Sequence, residues 1–99
     1  MTYEQENQAL ASAYDYMTAH DMYVDMWTEH TPIEQGLIVK ANIDWGDWKH
    51  DHLRYEWLME EWARENGYLV VSNSEAVTEE DGSDCYSALH HTGLFKKAE

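Results

Sequence analysis

The stretch from Asp47 to Gly67 constrains the fold more than any other part of the chain. Trp48, Tyr55, Leu58, Met59, Trp62 and Ala63 recur there at helical spacing and form one apolar stripe. Asp47 suits an N-cap and Gly67 suits the left-handed residue that closes a helix, so the spacing predicts a helix about 30 Å long over 47–66. Leu53 and Trp57 lie four residues apart on its other side, ringed by His50, Glu56, Glu60, Glu61 and Arg64. Such a Trp is either covered by a second element, for instance the first helix, or exposed for a partner. An aromatic anchor with a charged rim is the anatomy of a binding hot spot.

The N-terminal third also reads as helix, from Tyr3 to Glu29. Thr2 caps it, with Gln5 as the reciprocal partner. Leu10, Ala13, Met17, Val24 and Trp27 form its stripe, Ala9 and Tyr16 edge it, and Glu4, Asp15 and Asp25 lie across from it. His20 falls within the stripe and Asp21 follows, which allows a break there. Thr31 and Pro32 then stop the helix. From Gly36 to Asp44, Leu37, Val39, Ala41 and Ile43 alternate with wetter residues, which favours a strand over a continuing helix. Tyr68 to Ser72 is rich in strand formers, and Glu79 to Asp84 is a polar turn. Cys85 to Leu94 fits two readings: the return strand of a hairpin around Asp81 and Gly82, or a short helix. Ser83 or Asp84 as cap, Gly93 as closing residue and Leu94 behind it favour the helix. The expected fold is α+β, one acidic domain over 1–99: a long N-terminal helix, a small sheet and a second amphipathic helix packed on it. An all-α fold is the competitor.

Charge narrows the function. Twenty Asp and Glu stand against six Lys and Arg, a net charge of −14 on 99 residues, and Lys40 is the first basic residue in the chain. Direct nucleic-acid binding needs Lys and Arg to neutralise phosphates, and anionic lipid repels such a surface. No apolar run reaches the ~20 residues of a membrane span, and the N-terminus has no signal-like segment. A single cysteine, Cys85, excludes an internal disulfide framework and points to a cytoplasmic chain. The acid is either a solvated surface or a mimic. B-DNA carries about one charge per 1.7 Å of axis. A small rigid domain with carboxylates at comparable density could occupy the basic clefts that grip it, since carboxylates also pair well with Arg forks.

Chemistry is thinly represented. His50 and His52 point roughly 160° apart on a helix and cannot share an ion, and the adjacent His90 and His91 diverge likewise. Asp47, His50 and Asp51 share a first turn, where capping already accounts for the acids. Cys85 sits among Glu79, Glu80, Asp81 and Asp84, which disfavour a reactive thiolate. No phosphate loop, HExxH or GxSxG occurs. No catalytic residue, metal or cofactor is expected.

Glu60 to Tyr68 (EEWARENGY), the LVVS that follows, a polar stretch and then Tyr86 to Phe95 (YSALHHTGLF) resemble the closing helix–strand–helix of GNAT-fold acetyltransferases. In that family a core helix ends at Gly, a strand follows, and a short helix carries a Tyr shortly before a Gly-Phe pair. The resemblance covers Leu37 to Phe95 and implies a coenzyme A site on a glycine-rich turn opening the core helix. Here that turn reads DWKHDH over 47–52, without glycine, and its acids repel a pyrophosphate. The family also has strands where the first 36 residues here look helical. The resemblance thus implies a degenerate, non-catalytic relative, with an active transferase as the alternative.

The functional expectation is a non-enzymatic acidic inhibitor or interaction protein that presents a DNA-mimicking surface to a basic, nucleic-acid-handling or host-defence protein. In composition it resembles the small acidic inhibitors made by phages. The expected contact residues are Leu53, Trp57, Glu56, Glu60, Glu61, Asp15 and Asp25. The other class is a subunit of a complex in which the acid only solubilises.

Overall fold

The structure, a computed structural model, describes residues 2–30, 36–44, 48–79 and 86–96, with side chains at 2–30, 36–43, 53–74 and 89–96. The order of elements is α1 (Tyr3–Ala19), β1 (Asp25–Glu29), β2 (Gly36–Asp44), α2 (Trp48–Glu65), β3 (Tyr68–Glu79) and β4 (Tyr86–Lys96). The four strands form one antiparallel sheet in the order β1-β2-β4-β3. The fold is α+β.

The first helix is shorter than its pattern predicts. It starts at the expected capping box, Thr2 with Gln5, and buries Glu6, Ala9, Ala13 and Met17. It ends at Ala19 because the backbone closes on itself. Met22 N–H donates to Met17 O at 2.9 Å, Asp21 N–H donates to Thr18 O at 3.0 Å, and Asp21 takes a left-handed φ of 58°. This pair of bonds is a Schellman closure with aspartate where glycine is usual. Beyond it, Val24, Met26 and Thr28 turn inward while Asp25, Trp27 and Glu29 turn outward, as a strand requires. Val24 and Trp27 fit a helical stripe over so short a run, which hid the period of two. Trp27, expected in the core, is instead 39% exposed.

β2 and α2 lie where the sequence puts them. Leu37, Val39, Ala41 and Ile43 are buried on one face of β2, and Tyr55, Leu58, Met59, Trp62 and Ala63 are buried on α2. Gly67 closes α2 with φ 78°. The N-cap Asp47, the Pro32 stop, the Asp81-Gly82 turn and Cys85 lie outside the described residues. β3 runs on from Ser72 to Glu79, so Glu79 ends a strand instead of opening a turn.

The segment read as a closing helix is strand β4. It pairs with β2 from Gly36↔Phe95 to Asp44↔Ser87 and with β3 from Tyr68↔Lys96 to Glu79↔Tyr86. Two ladders outweigh one favourable cap. Gly93 does not close a helix; it lies opposite Ser72 beside a bulge at Val71, where an added Cβ would stand 2.5 Å from Ser72 Oγ.

Both helices cover the same face of the sheet, and the buried apolar side chains form one cluster. Trp62 is its centre. Its ring stacks on Tyr68 at 5.3 Å, its Nε1 donates to Ser12 Oγ at 3.1 Å, and Lys96 Nζ sits 5.5 Å over the Tyr68 ring.

Candidate functional site

α1 and α2 lie side by side and antiparallel. The contacts run Ser12 to Trp62, Tyr16 to Glu61 and His20 to Arg54, ascending one helix while descending the other. Arg54 donates to the His20 carbonyl, and His20 Nδ1 lies 2.8 Å from the Tyr16 carbonyl, so the last turn of α1 is tied off from both sides. Because α1 packs on the Arg54–Glu61–Trp62 flank, it leaves the crest of α2 bare. Leu53 and Trp57 are 58% and 57% exposed, and Glu60 and Arg64 continue the exposed row at the same helical spacing.

The other residues expected in this site have more varied roles. Glu61 is half-buried and accepts a hydrogen bond from the Tyr16 hydroxyl at 3.1 Å. Burial, then that bond and the Glu61 and Glu65 charges, hold the Tyr16 hydroxyl above its usual pKa. Glu56 leans to the opposite flank, where Oε1 lies 3.8 Å from Nδ1 of the fully buried His90. Asp15 is exposed on α1, in a row with Glu4, Gln8 and Ala11. Asp25 is exposed on the far face of the sheet, away from both helices. The crest therefore gathers Leu53, Trp57, Glu60 and Arg64, flanked by Glu56 and Glu61. Asp15 belongs to the neighbouring helix and Asp25 to another surface.

Sequence reasoning missed two polar clusters. Between α2 and the sheet, the Tyr55 ring tilts against His90 at 4.9 Å, and Thr92 Oγ1 donates to Asn73 Oδ1 at 3.3 Å. Burial drives the Tyr55 hydroxyl far above its ordinary pKa, partly offset by the nearby Thr92. Under α1, the buried Glu6 carboxylate lies 3.2 Å from His30 Nδ1, and the Tyr3 ring stacks on His30 at 4.2 Å. The only signal for either was a polar residue at a core position of an otherwise regular pattern. Both clusters are occupied in joining elements, which is the usual work of buried polar groups.

Among the described residues, no group of three His, Cys, Asp or Glu is placed to hold a metal ion, and no helix is long and apolar enough to cross a membrane. Comparison with known protein families, curated proteins and solved structures gives no match.

Proposed function

We propose that this chain is a cytoplasmic, non-enzymatic interaction protein of inhibitor type, which docks on the basic surface of a nucleic-acid-handling or host-defence protein. The observation that carries this reading is the bare crest of α2. Trp57 is 57% exposed beside Leu53 on a helix that buries Tyr55, Leu58, Met59, Trp62 and Ala63 on its other face. The chain around it has a net charge of −14. A large rigid aromatic supplies affinity at low entropic cost, and surrounding carboxylates pair with Lys and with Arg forks. Glu60, Glu65, Glu4 and Asp15 are exposed on the same helical layer and provide those carboxylates. Their likeness to the phosphates of a nucleic acid supports the mimicry.

The test is capture of partners from a cell lysate on the immobilised protein, washed with rising salt. A basic nucleic-acid-binding protein is expected, released between about 50 and 200 mM salt and lost from Trp57→Ala beads. Retention of the same proteins by Trp57→Ala would reject the crest. Micromolar acetyl-coenzyme A binding in a parallel titration would instead favour the transferase that the GNAT resemblance implies.

A further inference from the structure

The face of the sheet turned away from the helices presents four described rows of side chains across the strands: Asp25–Asn42–Leu89, Trp27–Lys40–His91–Ser74, Glu29–Ile38–Gly93–Ser72, and Phe95–Leu69 at one end. Among the described residues nothing packs on it. Trp27 and Phe95 are each 39% exposed, and Leu69 and Val71 are 50% and 62% exposed. The bulge on β3 turns Val71 out and over Gly93, where its Cγ2 lies 3.5 Å from the position a Cβ would take.

We infer that a second copy of this chain covers this open face, the two sheets packing face to face with both helical layers outside. Charge selects this occupant. Only Asp25, Glu29 and Lys40 are charged among the described side chains of the face, and Lys40 Nζ lies 2.5 Å from Glu29 Oε1. Among the described side chains of this face, two acids stand against one base, while the whole chain carries −14. Two like-charged copies repel less across such a face than across the acid-lined helical layer, and a basic partner gains less from it. Size agrees as well. Four strands about 4.8 Å apart and a strand length of roughly 30 Å give a projected area of about 570 Å². A pleated surface exceeds its projection, which brings the face near the ~800 Å² per partner of an ordinary stable interface. The strand order permits such a pairing. A two-fold axis along the strands lays β1 of each copy over β3 of the other, so the edge bearing Trp27 meets the edge bearing Leu69 and Val71. The dimer then carries two acidic helical layers on opposite sides, each with its own Trp57 crest.

Sedimentation velocity of the full chain at roughly 10 to 100 μM tests this, at low and at high salt. A dimer is expected, and its dissociation constant should fall as salt screens the residual repulsion. Leu69→Glu with Val71→Glu, at two exposed sites that leave the core untouched, should weaken it at least tenfold while circular dichroism stays unchanged. Trp57→Ala should dimerise as the wild type does, which separates this face from the crest of α2. A wild-type chain monomeric at both salt concentrations overturns the inference. So does a dimer that the double variant forms equally well, since another surface would then hold it.

Discussion

At the scale of single residues, the two tryptophans of α2 differ in what they do. Trp62 is 2% exposed, stacked on Tyr68 and bonded to Ser12, so Trp62→Ala opens a cavity no neighbour can fill. The expected cost is about 3–5 kcal/mol, a large share of the stability of a chain this size. Trp57, five residues earlier, contacts solvent over most of its surface. Trp57→Ala should leave the melting temperature nearly unchanged and weaken partner binding by ~2 kcal/mol, about thirtyfold in Kd. A large loss of stability with unchanged binding by the folded fraction would reject the crest as an interface. Tyr55 gives a second test, through pH. Its hydroxyl is held above the ordinary 10.0 by burial, so the folded chain keeps a proton that the unfolded chain releases above that pH. Stability is therefore fully present below pH 10 and falls as pH rises beyond it, by up to about 1.4 kcal/mol per pH unit for each such group. The Tyr68 hydroxyl, raised by burial too, adds in the same direction. Alkaline melts followed by circular dichroism should show this decline, and Tyr55→Phe should make it shallower. An identical decline in the variant would exclude Tyr55 as a source.

At the scale of elements, the closure of α1 is where local chemistry and tertiary structure disagree most. Asp21 stands at φ 58°, a conformation that glycine adopts without cost, and puts a negative charge at a helix end that repels it. No basic residue occupies that last turn. Asp21→Gly should therefore stabilise the chain by about 1 kcal/mol and raise the melting temperature by roughly 4–8 °C. A lower melting temperature would mean that the Asp21 side chain holds something the backbone argument omits. The same junction shows what was legible beforehand. β2 and α2 could be read because each carries an unbroken period, two in Leu37 to Ile43 and 3.6 in Tyr55 to Ala63, matching the environment that packs on it. β4 could not, because its core face presents His90 and Thr92 in place of apolar residues, so the alternation is invisible to hydropathy. Its pairing is long-range with β2, and no local signal records it. The capping residues around 83–94 were a real local preference that the two ladders overrode. For the site, the helical wheel places Leu53 and Trp57 opposite the core stripe and leaves open whether another element covers them; in the fold they are exposed. The engagement of Glu56 with His90 and of Glu61 with Tyr16 does not follow from the wheel, because both partners come from elements distant in sequence.

At the scale of the whole molecule, charge sets the response to salt, and it does so in two opposite ways. The fold holds a net charge of −14 within a radius of gyration of 13.7 Å, well inside the roughly 30 Å Debye length at 0.01 M salt. Most of its carboxylates therefore feel one another at low ionic strength, and unfolding relieves that repulsion by spreading the same charges over an expanded chain. Only a few close ion pairs offset this in the described residues; Lys40 with Glu29 is one, its carboxylate half exposed and its worth small. Screening should therefore favour the folded state. The melting temperature should rise as salt goes from about 10 mM to about 150 mM and level off once the Debye length is shorter than the spacing between neighbouring carboxylates. Binding to a basic partner should weaken over the same range, since there the unlike charges are screened. Melting scans and partner titrations on one salt series distinguish the two. A melting temperature that falls with added salt would mean that attractive pairs outweigh the net repulsion, and the acidic surface would then be a stabilising network instead of a surface kept acidic at a cost in stability.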